Sequence, residues 1–470
     1  MTPASATTAP ARRCLGDEIP RLRARVRGWG GGDRAPVTLA RAPAAEHLQA
    51  LVADLQGKPS AGAVARGMGR SYGDAAQLTG GLVLDTTQLK RLELDPVGGT
   101  VTAQAGVTIG ELLTVVVPAG WMVPVVPGTQ HVSVGGAIAA DIHGKNHGSA
   151  GTFGTHVEAL GLLTSAGELL ELDSARDRER FFATVGGMGL TGVIVWARIR
   201  LHNVHGALLS VDTDRVADLD GALAALEAPG GEYRVAWLDL LGGRPGRGVV
   251  TRARHVDLPA GAQTARGRAT VGARARVPPR WPAGLLRPAT VRAHNELRFR
   301  LAPRRERGRL EGIGRHMFPL DVLDAWPRLY GRRGLVQYQL AVPTGEEHVL
   351  RSVLGELRRS RVPCYLAVLK DFGASNDAPL SFPLRGWTLA LDMPRHATGL
   401  GGLLDRFDEL VAAVGGRVYL AKDSRLRPAT LAAMYPRLGA WRRVRDELDS
   451  DGLWRSDLGV RTGLIPWRSR

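Results

Sequence analysis

The stretch ARGMGRSYGDAA, residues 65–76, most constrains what this chain can fold into, because Gly67, Gly69 and Gly73 free three nearby backbone positions of a Cβ. Glycine reaches positive φ without steric cost and lets another group come close to the main chain. The spacing is G-x-G-x-x-x-G. A dinucleotide-binding βαβ turn needs G-x-G-x-x-G and a P-loop ends in Gly-Lys-Ser/Thr, so both templates are excluded. A second glycine-rich stretch, VVPGTQHVSVGGAIAADIHGKNHGSAG, covers residues 125–151. A glycine triplet on its own also suits a plain surface turn, and the neighbouring segments have to decide.

At 470 residues the chain exceeds one ordinary core and predicts two or three domains. Its most apolar run, LLTVVVPAGWMVPVVPG (112–128), is broken by Pro118, Pro124 and Pro127 and reads as turn and short strand. A membrane helix needs about 18 to 20 uninterrupted apolar residues, so none is expected. Cys14 and Cys364 offer neither a disulfide framework nor metal-ligand spacing, and no metal is expected. The opening MTPASATTAPARRCLGDEIP has no apolar signal core, so residues 1–15 are expected to be a disordered arm. A net charge of +17 attracts any polyanion, nucleic acid and anionic lipid alike. About thirteen arginines stand between Arg266 and Arg309 against Glu296 and Glu306, a local basic region.

Hydrophobic patterning gives an α+β chain rather than a doubly wound parallel sheet. Residues 16–203 mix short strands with helices at AAEHLQALVADLQ, at TIGELLTVVVPAG after an N-cap at Thr108, and at DRERFFATVGG. Residues 204–415 carry longer strands, EYRVAWLDLL, GLVQYQLAVP, CYLAVLKDFG and GWTLALDMP, whose period-2 alternation predicts an antiparallel sheet with one face on a core and one on a cavity. Within this second domain the segment of about 258–315 is expected to be mobile basic loops. Residues 416–470 return to the first domain through GGRVYLAKDSR and a helix at PATLAAMYPRLGAWRRVRDEL.

Read in order, ARGMGRSYGDAA, VVPGTQHVSVGGAIAADIHGKNHGSAG, FFATVGGMGLTGVIVWARI and YLAKDSR resemble the motifs of the vanillyl-alcohol-oxidase (PCMH) type of FAD-binding fold. GRSYGD, QYQLAVPT, NDAPLSFP and AKDSR add a similarity, over residues 35 to 460, to flavoprotein oxidases that act on decaprenylphosphoryl-β-D-ribose. The resemblance implies that Arg66, Gly67, Met68, Gly69, Arg70, Ser71, Tyr72, Gly73 and Asp74 wrap the FAD pyrophosphate with backbone N–H groups, an anion nest. It extends the FAD contacts to Gly128, Thr129, Ser133, Val134, Gly135, Gly136, Ala140, Asp141, Ile142 and His143, and to Gly192, Ile194 and Tyr419. Lys422, His143 and Tyr72 become the candidate catalytic residues, and Gln337, Gln339, Lys370, Lys145 and Ala390 the candidate substrate contacts. Implied partners are a polyprenyl-phosphoryl ribose, a separate NAD(P)H-dependent short-chain keto-reductase that completes an epimerisation, a quinone acceptor and an anionic membrane surface, with no nucleic acid. The location implied is cytoplasmic or peripheral at the membrane, with the periplasmic face allowed by the resemblance.

Plainer readings stand beside these. Lys422 next to Asp423 fits a surface ion pair, Gln337 and Gln339 the solvent face of a sheet, His143 a loop hydrogen bond and Tyr72 packing. An alditol or aldonolactone oxidase on the same scaffold, and an arginine-rich nucleic-acid-binding protein, are the alternative functions. Two departures from the resembled pattern matter: Ala390 stands where mycobacterial relatives carry a cysteine, and Arg70 where sugar oxidases of the fold often carry a flavin-linking histidine. Arginine cannot make that bond, so FAD is expected to be non-covalent. Acid precipitation of the purified protein is expected to release yellow flavin into the supernatant; flavin retained on the precipitated chain overturns this.

Overall fold

The computed structural model describes residues 19–56, 62–242, 246–256, 268–279 and 286–466; the expected arm at 1–15 lies outside them. Two sheets arise from residues 21 to 200. The first has the order Arg21–Val26, Ala35–Arg41, Leu82–Asp85, Ala63–Arg66, antiparallel in its first pair and parallel in the others. Helix Ala45–Leu55 makes one parallel crossover and buries Leu48, Leu51 and Val52. The second sheet is antiparallel, in the order Leu92–Asp95, Thr100–Gln104, Val193–Arg200, Val157–Leu163, Leu169–Asp173. Thr108 caps helix Ile109–Val116 as expected: its Oγ1 accepts from Glu111 N–H at 3.2 Å, and Glu111 accepts from Thr108 N–H at 2.7 Å. Helix Val134–Ala139 starts at Ser133 inside the second glycine-rich stretch.

The third sheet has eight antiparallel strands, in the order Arg305–Gly312, Leu208–Val216, Arg247–His255, Tyr233–Asp239, Leu366–Phe372, Gly386–Pro394, Leu335–Pro343, Arg417–Val418. Register decides which side chains share a face. Gln337 lies opposite Asp392, Gln339 opposite Ala390, Val368 opposite Ala390 and Lys370 opposite Thr388. These residues therefore present one face, while Tyr338, Leu340, Leu369, Leu389 and Leu391 turn to the buried core. Helices Glu347–Ser360 and Leu400–Ala413 pack against strand Leu335–Pro343.

Two expectations are corrected. PATLAAMYPRLGAWRRVRDEL forms two helices, Pro428–Met434 and Leu438–Leu448, because Pro436 lacks an N–H and pushes Tyr435 out of the helical region, to φ −123°. The basic segment is not all loop: helix Pro288–Leu301 and edge strand Arg305–Gly312 occupy much of it. Ionic ties supply the order that its sparse apolar content cannot. Fully buried Asp239 accepts from Asn295 at 2.9 Å and from Arg247 at 2.8 Å, and Arg247 also reaches Glu296 at 2.6 Å. Residues 258–267 and 280–285 of the segment expected to be mobile lie outside the described residues.

The C-terminal return is held by Arg461. Its guanidinium meets Asp74 at 2.7 and 2.9 Å and Asp423 at 2.9 Å, tying the first glycine turn to the AKDSR turn. Tyr72 N–H donates to Ala421 O at 2.9 Å, and a Cβ on Gly73 would stand 1.9 Å from Asp423 O, so only glycine fits this contact. Arg461→Ala leaves two largely buried carboxylates unpaired and is expected to cost about 3 to 5 kcal/mol. A lowered denaturant midpoint with weakened flavin retention checks this, and an unchanged midpoint contradicts it.

Candidate active site

A cavity of about 1340 Å³ lies between the two glycine-rich stretches and the polar face of the eight-stranded sheet. On the glycine side it is lined by Gly67, Met68, Gly69, Arg70, Ser71, Tyr72, Gly128, Thr129, Ser133, Gly135, Gly136, Ala140, Ile142, His143, Gly192 and Ile194. The backbone N–H groups from Met68 to Ser71 donate to no carbonyl of any described residue, unlike that of Tyr72. A Cβ on Gly67 would come within 2.2 Å of Ser133 Oγ, so glycine brings the two stretches into contact. Arg70 lies over the Trp29 ring at 3.8 Å, and its buried Nε has no partner among the described residues. Unpaired donors around an open, glycine-walled space suit a pyrophosphate.

Five residues expected at the cofactor stand behind this wall instead. Arg66 spends its guanidinium on Ala76 O at 2.8 Å and Arg27 O at 2.9 Å, bracing the turn from behind. Gly73 and Asp74 face the AKDSR turn and Arg461. Val134 is core. Asp141, fully buried at φ 40°, accepts from Ser381 at 2.6 Å, Asn376 at 2.8 Å and Gly154 N–H at 3.1 Å, which pins NDAPLSFP to the second glycine-rich stretch.

The opposite wall brings together Gln337, Gln339, Lys370, Ala390, Tyr419, Lys422 and Lys145. Gln337 and Gln339 are 7% and 1% exposed, which excludes a solvent face. Lys422 is no surface partner of Asp423, which Arg461 takes; its Nζ sits 5.6 Å from the Tyr72 ring centroid. Gln339 donates to Thr388 and to His143 Nε2, both at 2.9 Å. Burial, then Lys370 and Lys422, hold the His143 pKa well below the ordinary imidazole range, so the ring is neutral. With Nε2 accepting, this hydrogen-bond pattern assigns the proton to Nδ1, which is buried and has no partner among the described residues. Tyr72 stays a phenol, its pKa raised by burial and Asp392. Tyr419 donates to Ala140 O at 2.8 Å and stacks on Phe382.

The lysines are the electrostatic centre. Burial and then Lys422 and Lys145 push Lys370 down to about 7; burial pushes Lys145 down to about 8, and Lys422 is lowered by burial against the pull of Asp392. Asp392, raised by burial, accepts from Gln337 through one oxygen while the other has no partner among the described residues. Sequence reading missed Asp392, although an aspartate inside GWTLALDMP, two residues from Ala390, is a visible signal. Beyond this polar end the wall turns apolar through Leu366, Val368, Val235, Trp237 and Val249 and reaches a rim with Arg298, Arg309 and Arg315.

Residues 38–173 match the family model described as FAD binding domain. Over 459 residues the chain is 38% identical to the decaprenylphosphoryl-beta-D-ribose oxidase of Mycolicibacterium smegmatis, covering 95% of this chain and 99% of that protein. The chain belongs to that family of FAD-linked oxidoreductases. This flavoprotein is also 42% identical to an uncharacterized Streptomyces coelicolor protein over 374 residues, 76% of this chain and all of that one. L-gulonolactone oxidase 3 of Arabidopsis thaliana matches at 32% over 110 residues, 22% of this chain and 19% of that enzyme. The described residues contain no helix long and apolar enough to cross a membrane.

A buried lysine with a lowered pKa has a predictable pH signature. Below pH 7 Lys370 is charged in both folded and unfolded states, and its burial costs stability; between about 7 and its unfolded value of 10.5 the unfolded state holds the extra proton, so stability rises with pH. Lys370→Met is therefore expected to stabilise the substrate-free protein most below pH 7, with the gain fading towards pH 10. Urea midpoints of both proteins across this range check the sign; a gain that grows with pH contradicts it.

Proposed function

We propose that this flavoprotein oxidises the ribose 2′-hydroxyl of a polyprenyl-phosphoryl-β-D-ribose to the 2-keto sugar. The reaction removes a hydride from C2 and a proton from its hydroxyl; FAD, held without a covalent link by the turn of Gly67 to Ser71 and by Gly128 to Gly136, would supply the hydride acceptor, and the protein's side chains handle the proton and the anionic carrier. Lys422 accepts the proton, or stays charged and stabilises negative charge developing on oxygen. Neutral His143, held by Gln339, orients the sugar through Nδ1–H, and Tyr72 supports Lys422. Lys145 and Lys370 offer positive charge to the phosphate, and the apolar wall takes the prenyl chain. A separate NAD(P)H-dependent short-chain keto-reductase would complete an epimerisation, and a quinone would reoxidise the flavin.

The observation that carries this reading is one cavity whose lysine-rich end continues into an apolar wall, in a chain alike to the mycobacterial oxidase over 95% of its length. An alditol or aldonolactone has no use for that wall, and the FAD-binding match favours a flavoenzyme over a nucleic-acid-binding protein. Anaerobic stopped-flow with a polyprenyl-phosphoryl ribose is expected to bleach the flavin; bleaching by free alditols alone overturns the assignment. Lys422→Ala is expected to stay folded and yellow but to reduce its flavin about a hundredfold more slowly. A near-parental rate moves the proton role to His143 or Tyr72.

A further inference from the structure

Helix Pro288–Leu301 is amphipathic in the unusual sense. Its inner side is tied by polar groups: Asn295 to Asp239 at 2.9 Å, Glu296 to Arg247 at 2.6 Å, and Phe299 beneath Arg247 at 4.6 Å. Its outer side presents Leu297 and Leu301, one turn apart, at 57% and 75% exposure. Leu310 and Leu320, also exposed, line the cavity, as does Arg298 of the same helix. These four leucines are half of the eight large apolar side chains exposed among the described residues, two of them lining the cavity and two on the helix that contributes Arg298 to it. Residues 286–310 carry eight arginines against Glu296 and Glu306. Both glutamates are engaged, by Arg247 and Arg300 and by Arg309. Exposed Arg287, Arg304 and Arg305 face no carboxylate among the described residues.

From this we propose that the outer face of helix Pro288–Leu301, with its flanking arginines, docks on an anionic bilayer surface and brings the cavity mouth to the lipid. Charge complementarity selects the occupant: exposed leucines ringed by unpaired arginines suit an interfacial helix, whose apolar side chains enter the headgroup boundary while its cations meet anionic lipid. The proposal rests on the polyprenyl-phosphate reading for its purpose, since a lipid-borne sugar has to enter from the membrane, but its test does not.

The test is co-sedimentation of the FAD-loaded full chain with phosphatidylcholine vesicles, with and without about one third phosphatidylglycerol. Binding is expected to the anionic vesicles only and to fall as salt rises. Arg287→Gln/Arg304→Gln/Arg305→Gln is expected to weaken it about a hundredfold, about fivefold per arginine. Leu297→Ser/Leu301→Ser is expected to weaken it about tenfold. Equal binding to neutral vesicles, or parental binding by both variants, overturns the proposal. So does a dimer that the leucine variant converts to monomer with vesicle binding intact, which would make the face a self-interface. Flavin reduction by a short-chain, water-soluble prenyl-phosphoryl ribose in vesicle-free buffer is expected to proceed at the parental rate in both variants. Failure of the parent protein in that assay sinks the substrate reading while leaving the docking result to stand by itself.

Discussion

Three lysine ammonium groups held in one cavity wall, with too few free carboxylates to neutralise them, are the constraint on which the rest of the site depends. Two nearby acids are already engaged: Asp371 faces Arg234 at 3.7 Å, and Glu311 meets Arg315 at 3.1 Å. That leaves Asp392, itself raised by burial, to draw on Lys422. Burial lowers the pKa of each lysine, the charges of Lys422 and Lys145 lower Lys370 further, and burial together with Lys370 and Lys422 keeps His143 neutral. An anionic ligand relieves the same imbalance. One electrostatic arrangement thus prepares the wall both to receive a phosphate and to exchange a proton near neutral pH.

Holding that arrangement needs segments distant in sequence. Lys422 sits in a turn whose backbone takes the Tyr72 N–H, and Arg461 clamps both turns by their aspartates, so the cofactor-side loop and the lysine move as one body. Lys370, Gln337, Gln339 and Asp392 owe their common face to strand register, and a slip of one residue in any of the three strands would turn its polar side chains into the core. Asp141 and its partners Ser381 and Asn376 join the second glycine-rich stretch to the loop before strand Gly386–Pro394. The cavity is therefore walled on all these sides by polar contacts that burial makes costly to break.

Much of the fold was legible. Period-2 alternation in VQYQLAV and WTLALDM is a local property and predicted strands with a cavity face, and the N-cap at Thr108 announced its helix. The basic segment misled because low apolar content argues for loop, whereas Asp239, more than forty residues upstream of the helix, supplies the buried ionic anchor. The candidate site was legible as motifs but not as geometry. Arg66, Gly73, Asp74, Val134 and Asp141 share the glycine-rich strings yet stand behind the wall, since each is committed there to a distant partner or to the core, which the strings do not show. Asp392 went unnoticed because a carboxylate in an apolar strand acquires meaning only beside Gln337 and Lys422.

By itself the sequence determined where the backbone must be glycine, which segments alternate, where prolines end helices, and that arginine rather than histidine stands at position 70. Each of these follows from local sterics and covalent chemistry. Only the tertiary structure decided that Lys422 faces Tyr72 rather than its neighbour Asp423, that the glutamines are buried, and that helix Pro288–Leu301 turns its leucines outward. Those outcomes depend on which charges meet across the fold, and desolvation prices a charge by its surroundings, which no stretch of sequence contains.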